Sequence, residues 1–119
     1  MKRLRIHLAC VALLAVASTR VVDPPDAGTY RRMFLFCSDN IRIEESGRVE
    51  YSTGCCMGQD VLATGTCTVE GGHLNLEWDS MPAAWGPEMR RGALQQDAGE
   101  LSLVLGSRSF VRVEERAGQ

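Results

Sequence analysis

After residue 17 the sequence holds no lysine; its one lysine is Lys2, and every later cation is arginine. It has two histidines, His7 and His73, and few aromatic residues. No C-x-x-C pair occurs, the spacing by which one turn offers two thiolates to one zinc ion. No Gly-x-Ser-x-Gly elbow, phosphate-binding glycine loop or dinucleotide fingerprint occurs either. No apolar run reaches the roughly 20 residues of a bilayer-spanning helix. Past residue 17 no segment shows a sustained apolar period of 3.6, so a helical fold is not expected. His73 follows the turn Gly71-Gly72 and has no histidine partner, which marks it as a solvated turn residue and not a general base. These absences speak against a nucleotide-dependent enzyme, a triad hydrolase and a zinc centre. The chain is read as a non-enzyme without cofactor or metal.

What is present begins with a leader. Lys2, Arg3 and Arg5 precede an apolar run over Ile6–Ala17, and Ala15-Val16-Ala17 gives the small-x-small pattern of a signal-peptidase site. Residues 1–17 are therefore expected to be a signal peptide, which places the protein in a periplasmic or secreted compartment. Cleavage removes three of thirteen basic residues and none of fifteen acidic ones, leaving a net charge of −5. That sign argues against nucleic acid or an anionic membrane as partner. About 100 residues remain, one domain with a thin core, the size at which covalent links matter.

Four cysteines survive cleavage: Cys37, Cys55, Cys56 and Cys67. In an oxidising compartment they are expected to pair. A bridge between the neighbours Cys55 and Cys56 is set aside because it strains their shared peptide link. Two patterns stay open, Cys37–Cys55 with Cys56–Cys67, or Cys37–Cys56 with Cys55–Cys67. Each bridge closes a loop of roughly 11 to 20 residues, worth about 3 kcal/mol. A soft-metal site at Cys55-Cys56-Met57 is the rival reading, and it lacks a histidine partner.

The segment 18–27, with Asp23-Pro24-Pro25-Asp26, reads as a flexible leader. From Gly28 the pattern has period two with turn signals every 8 to 12 residues. Thr29–Cys37 reads as a first strand, apolar on both faces in its second half. Ile41 and Ile43, then Val49 and Tyr51, alternate with polar residues about the turn at Gly47. Val61, Ala63, Gly65, Cys67 and Val69 are expected on one face of the next strand. Leu74, Leu76 and Trp78 give the cleanest half-buried strand. Met89–Leu94 reads as a weak strand, with a weak helical alternative near Ala93–Ala98. Leu101, Leu103 and Leu105 alternate again, and Phe110–Glu114 closes the chain. Seven or eight antiparallel strands in sequential order make an all-β meander, and closure into a barrel satisfies its edges. The domain is expected over 28–115, with a disordered tail at 116–119.

The opening Gly28-Thr29-Tyr30, the hairpin Ile41–Tyr51 and the stretch Gly65–Trp78 resemble small exported lipocalin-like barrels of bacteria. The third opening place is Tyr30, where lipocalins carry tryptophan, and the chain is shorter than a lipocalin. The resemblance implies an up-and-down barrel without a large ligand cavity.

Two sets of residues are candidates for function. The connection 79–92 carries Met81, Pro82, Trp85, Arg90 and Arg91, and tryptophan and arginine are over-represented at binding hot spots. It is read as a loop contacting another protein of the envelope or the extracellular space, with Trp85 plugging a barrel mouth as the plainer reading. Leu74, Leu76, Trp78, Leu101 and Leu103 would line the interior if the barrel carried a small apolar ligand. A small barrel has room for little more than side chains, so the protein-contact reading, of an inhibitor or immunity type, ranks before the carrier and before a structural envelope protein without a discrete site.

Overall fold

The computed structural model describes residues 21–113 apart from Met57 and Ala83; the expected signal peptide and the tail at 116–119 lie outside the described residues. Eight strands follow in order: β1 (Gly28–Phe34), β2 (Cys37–Ile43), β3 (Arg48–Cys55), β4 (Gly58–Glu70), β5 (His73–Trp78), β6 (Arg91–Asp97), β7 (Glu100–Leu105) and β8 (Arg108–Val113). One turn of 3-10 helix, Pro87–Arg90, precedes β6. Each strand pairs antiparallel with the next, and β8 returns to β1 through Thr29↔Val113, Tyr30↔Arg112 and Arg31↔Val111. The all-β meander thus closes into an eight-stranded barrel.

Turn chemistry explains most of the connections. Gly71 and Gly72 have φ of 56° and 83°, and Ala98 and Gly99 have 53° and 82°, the paired positive values of a type I′ hairpin turn. Between β2 and β3 the Gly47 amide donates to the Glu44 carbonyl, and Gly47 takes a φ of 93°. Gly65 has another role: it faces inward where β5 crosses, and a Cβ there would run into the Glu77 carbonyl. Only glycine lets the two backbones approach so closely.

Alternation fills the interior. Tyr30, Ile41, Val49, Leu74, Leu103 and Phe110 are all fully buried, one each from β1, β2, β3, β5, β7 and β8. Each such side chain contributes about 1.5–3 kcal/mol relative to leaving it in water. Val22 joins this core, and the Val21 and Val22 amides both donate to the Glu45 carbonyl. Residues 21–27, the described part of the stretch 18–27 read from sequence as a flexible leader, are seated on the barrel. The Tyr30 hydroxyl donates to the Asp26 carbonyl at 2.6 Å, and Arg112 Nη1 donates to the Pro25 carbonyl.

Three local expectations are corrected. The apolar run read as one strand to Cys37 is broken at Leu35-Phe36 into β1 and β2. β4 carries a bulge: Tyr51 pairs with Ala63 but Ser52 pairs with Val61, so Leu62 is the extra residue. The bulge reverses the alternation, and Val61 is exposed while Ala63, Gly65 and Cys67 stay inside. The stretch Ala93–Ala98 is the end of β6 and a turn, not a helix.

Candidate functional site

The meander gives the barrel two ends. The lower end holds the start of β1, the 44–47 and 71–72 turns, the 98–99 turn and the end of β8. The upper end holds the β1–β2 and β3–β4 tips, the 79–90 connection and the Gly106-Ser107 turn. At the lower end only the β6–β7 hairpin runs past its neighbours, since β5 leaves β6 at Ala93 and β8 leaves β7 at Ser102, and that overhang carries the polar Gln95, Gln96 and Asp97; the larger overhang is at the upper end. Pairing of β1 with β8 stops at Arg31, and pairing of β4 with β5 begins only at Gly65. The upper parts of β1 to β4 therefore stand as a four-stranded lip.

Among the described residues, six of the seven large exposed hydrophobic ones lie on this lip. At the β1–β2 tip Met33, Phe34, Leu35 and Phe36 are 66, 44, 93 and 86% exposed. Val61 and Leu62 are exposed on the upper part of β4. One disulfide, Cys37–Cys55, joins β2 to β3 just behind the tip, with its Cα atoms 4.2 Å apart. Of the two patterns left open from sequence, the structure contains this half of the first. Cys56 and Cys67 are free thiols, which corrects the expectation of a second bridge. The reason is distance: Cys56 sits exposed in the upper turn, while Cys67 lies nine residues beyond Gly58 along β4, about 30 Å of extended strand. A disulfide needs Cα atoms within about 7 Å. Cys67 faces the core, and burial pushes its thiol up to about 11.

Beneath the lip the barrel mouth is closed by aromatic rings. Trp85 meets Tyr51 edge-on at 4.8 Å and Trp78 at 5.1 Å between centroids. Trp78 Nε1 donates to the Met89 carbonyl at 2.7 Å, and Met89 is fully buried. Of the loop residues nominated from sequence, Trp85 therefore belongs to this plug. Met81 and Pro82 are half-buried, and Arg90 and Arg91 are exposed. A small charge network lies beside the plug. Arg32 Nη2 donates to Asp39 Oδ2 at 2.7 Å, and its guanidinium lies over the Phe34 and Phe110 rings. Burial, then a hydrogen bond with Asp39, pushes the Tyr51 hydroxyl up to about 12.

The lower mouth is different. It opens into a depression of about 1240 Å³ whose walls include Gly28, Arg42, Ile43, Gln96, Leu101 and Arg112. The strap Pro24–Ala27 borders it. Of the five residues nominated as ligand-lining, Leu101 alone borders this space; Leu74, Leu76 and Leu103 are packed in the core, and Trp78 stands at the upper plug.

Sequence reasoning missed the β1–β2 tip. Its signal was there, in an apolar run on both faces that no alternating strand could bury. Fold and site together define the class: a closed eight-stranded antiparallel barrel bearing an apolar, stapled lip at one end. Beyond that class the comparisons are silent, for no family model, no curated protein and no solved structure matches the chain.

Proposed function

We propose that the protein is a small exported binding module, of the lipocalin-like kind, that contacts another protein through its upper loops in the manner of an inhibitor or an immunity protein. The periplasm or the extracellular space is its place of work, in keeping with the leader at 1–17. One observation carries the reading. Above Thr64, which accepts from the Asp79 amide, β4 has β3 on one side and no strand on the other among the described residues. This free edge carries exposed Val61 and Leu62 and lies beside the start of the 79–90 connection. An unpaired edge with apolar side chains is the element to which a partner adds a strand or lays a loop. Arg90 and Arg91 extend the same end with two exposed cations.

A photo-crosslinking residue at position 61, with one at Thr68 on the outer face of lower β4 as control, tests this in an exporting cell. The reading expects a discrete heteromeric adduct from position 61 and none from position 68. The absence of any adduct specific to position 61 contradicts it.

The open lower mouth supports a second reading, a carrier. Its walls hold Arg42, Gln96, Glu100 and Arg112 beside Leu101, which suits a polar ligand better than the apolar one considered from sequence. Binding at this mouth would be lost on Arg112→Leu and untouched by changes at position 61.

A further inference from the structure

We propose that the β1–β2 tip, Met33–Phe36, is an interfacial membrane anchor that enters the headgroup region of an anionic bilayer. This goes beyond the protein contact above and does not rest on it, since that contact falls on β4 and the 79–90 connection.

The first argument is the backbone at Leu35. It occupies the first of two turn residues with a φ of 49°. That left-handed conformation suits glycine, or asparagine, and strains a branched side chain. At the same first place the other described two-residue turns have Gly71, Gly106 and the small Ala98 (φ 53°), so Leu35 is the one large side chain there. A strained leucine that packed in the core would need no further account. This one is 93% exposed, so its side chain contributes nothing to folding that would offset the strain.

The second argument is shape. Met33, Phe34, Leu35 and Phe36 form the convex apex of a hairpin, not a groove or a flat face. The Cys37–Cys55 bridge fixes the strands behind the apex, so little ordering remains to be done on insertion. A soft medium accepts a rigid convex wedge.

The third argument is depth and charge. An interfacial element sinks about 5–10 Å below the headgroups. Arg31 lies four residues behind the apex, about 13 Å along the strand, and its long side chain can reach back to the phosphates. Its Nε donates to the neutral Asn40 Oδ1, whereas Arg32 is already paired with Asp39. The charge of Arg31 is thus left for an outside anion. Asp23, Asp26, Glu44, Glu45, Asp97 and Glu100 lie at the other end, while at the upper end Asp39, Asp60, Asp79 and Glu88 are set against Arg31, Arg32, Arg90, Arg91 and Arg108. β1 spans seven residues, about 23 Å, which is more than two Debye lengths in physiological salt. The net negative charge of the chain therefore does not bar its upper end from an anionic surface.

Flotation with vesicles tests the proposal, using the full chain and its variants in the same form. The vesicles are phosphatidylethanolamine with phosphatidylglycerol, or phosphatidylcholine alone. The unsubstituted chain is expected to float with the anionic vesicles. The double variant Leu35→Asn, Phe36→Ser is expected to lose about tenfold or more of that binding. Asparagine suits the backbone at position 35, so this variant keeps the fold. Arg31→Gln is expected to lower binding to the anionic vesicles by about fivefold. In a Phe36→Trp variant the introduced ring is expected to shift to the blue and to be quenched by brominated acyl chains. The proposal is overturned if the double variant floats as well as the parent, if the introduced tryptophan is not quenched, or if phosphatidylcholine binds the parent equally well.

Discussion

At the lower end of the barrel the hairpin turns carry no large apolar side chain, and the strap 21–27 is drawn in by Val22, Tyr30 and Arg112. At the upper end four strands run on past the closed part and expose consecutive apolar side chains. The same alternating pattern builds both ends, so the difference does not come from strand chemistry. It lies in the turns: below, the positive-φ places hold glycine or the small Ala98, while above, beside Gly58 and Gly106, one of them holds the large Leu35. A chain under selection for stability alone would treat the two ends alike. On the function proposed above, the filled barrel is a scaffold and its upper lip the working surface.

Substitutions can break or sharpen that contrast. The largest effect is expected where both ends share one support. Phe110 is fully buried mid-barrel, and Phe110→Ala should lower stability by about 3–5 kcal/mol in denaturant unfolding. Removing the bridge with Cys37→Ser and Cys55→Ser should lower it by about 3 kcal/mol, from a closed loop of 18 residues. Amide exchange should then rise first in the upper parts of β2 and β3 and leave the lower turns protected. A uniform rise would mean that the lip is not a separate region. The two tyrosines report on one end each. Tyr30→Phe should cost about 1 kcal/mol by freeing the strap at Asp26, and Tyr51→Phe a similar amount by taking a hydrogen bond from Asp39.

The same pair sets a pH limit. Burial pushes both hydroxyls from 10.0 to about 12. The folded state therefore favours the neutral form. Stability from these groups is complete below pH 10 and is lost as pH rises towards about 12. Cys67, raised from 9.0 to about 11, begins the decline about one unit earlier. Unfolding titrations between pH 8 and 12 check this, and a flat profile across that range contradicts it. In the chain without residues 1–17, thiol counting should find one reactive group in the native state, Cys56, and a second, Cys67, only on unfolding.

Much of the barrel was legible because alternation and turn residues agree. Ile41, Val49, Leu74 and Leu103 fell inside as their spacing required, and Gly47 and Gly71-Gly72 marked their turns. Closure followed from a meander of seven or eight strands with edges to satisfy, and the structure sets the number at eight. The upper lip was not legible, for two physical reasons. Leu35-Phe36 has no turn chemistry, so Met33 to Cys37 read as more strand. The bulge at Leu62 shifts parity by one residue, and no residue type announces such a shift. Trp85 was visible as an unusual loop residue. Only its contacts with Tyr51 and Trp78 show that its ring serves the barrel mouth.

The central claim is that the apolar tip serves no structural purpose. Thermal unfolding of the Leu35→Asn, Phe36→Ser variant tests it most directly. The account predicts a midpoint no lower than that of the parent, and higher by up to about 5 °C as the backbone strain at Leu35 is relieved. A midpoint lower by several degrees would show that these side chains help to hold the fold, and would contradict the claim.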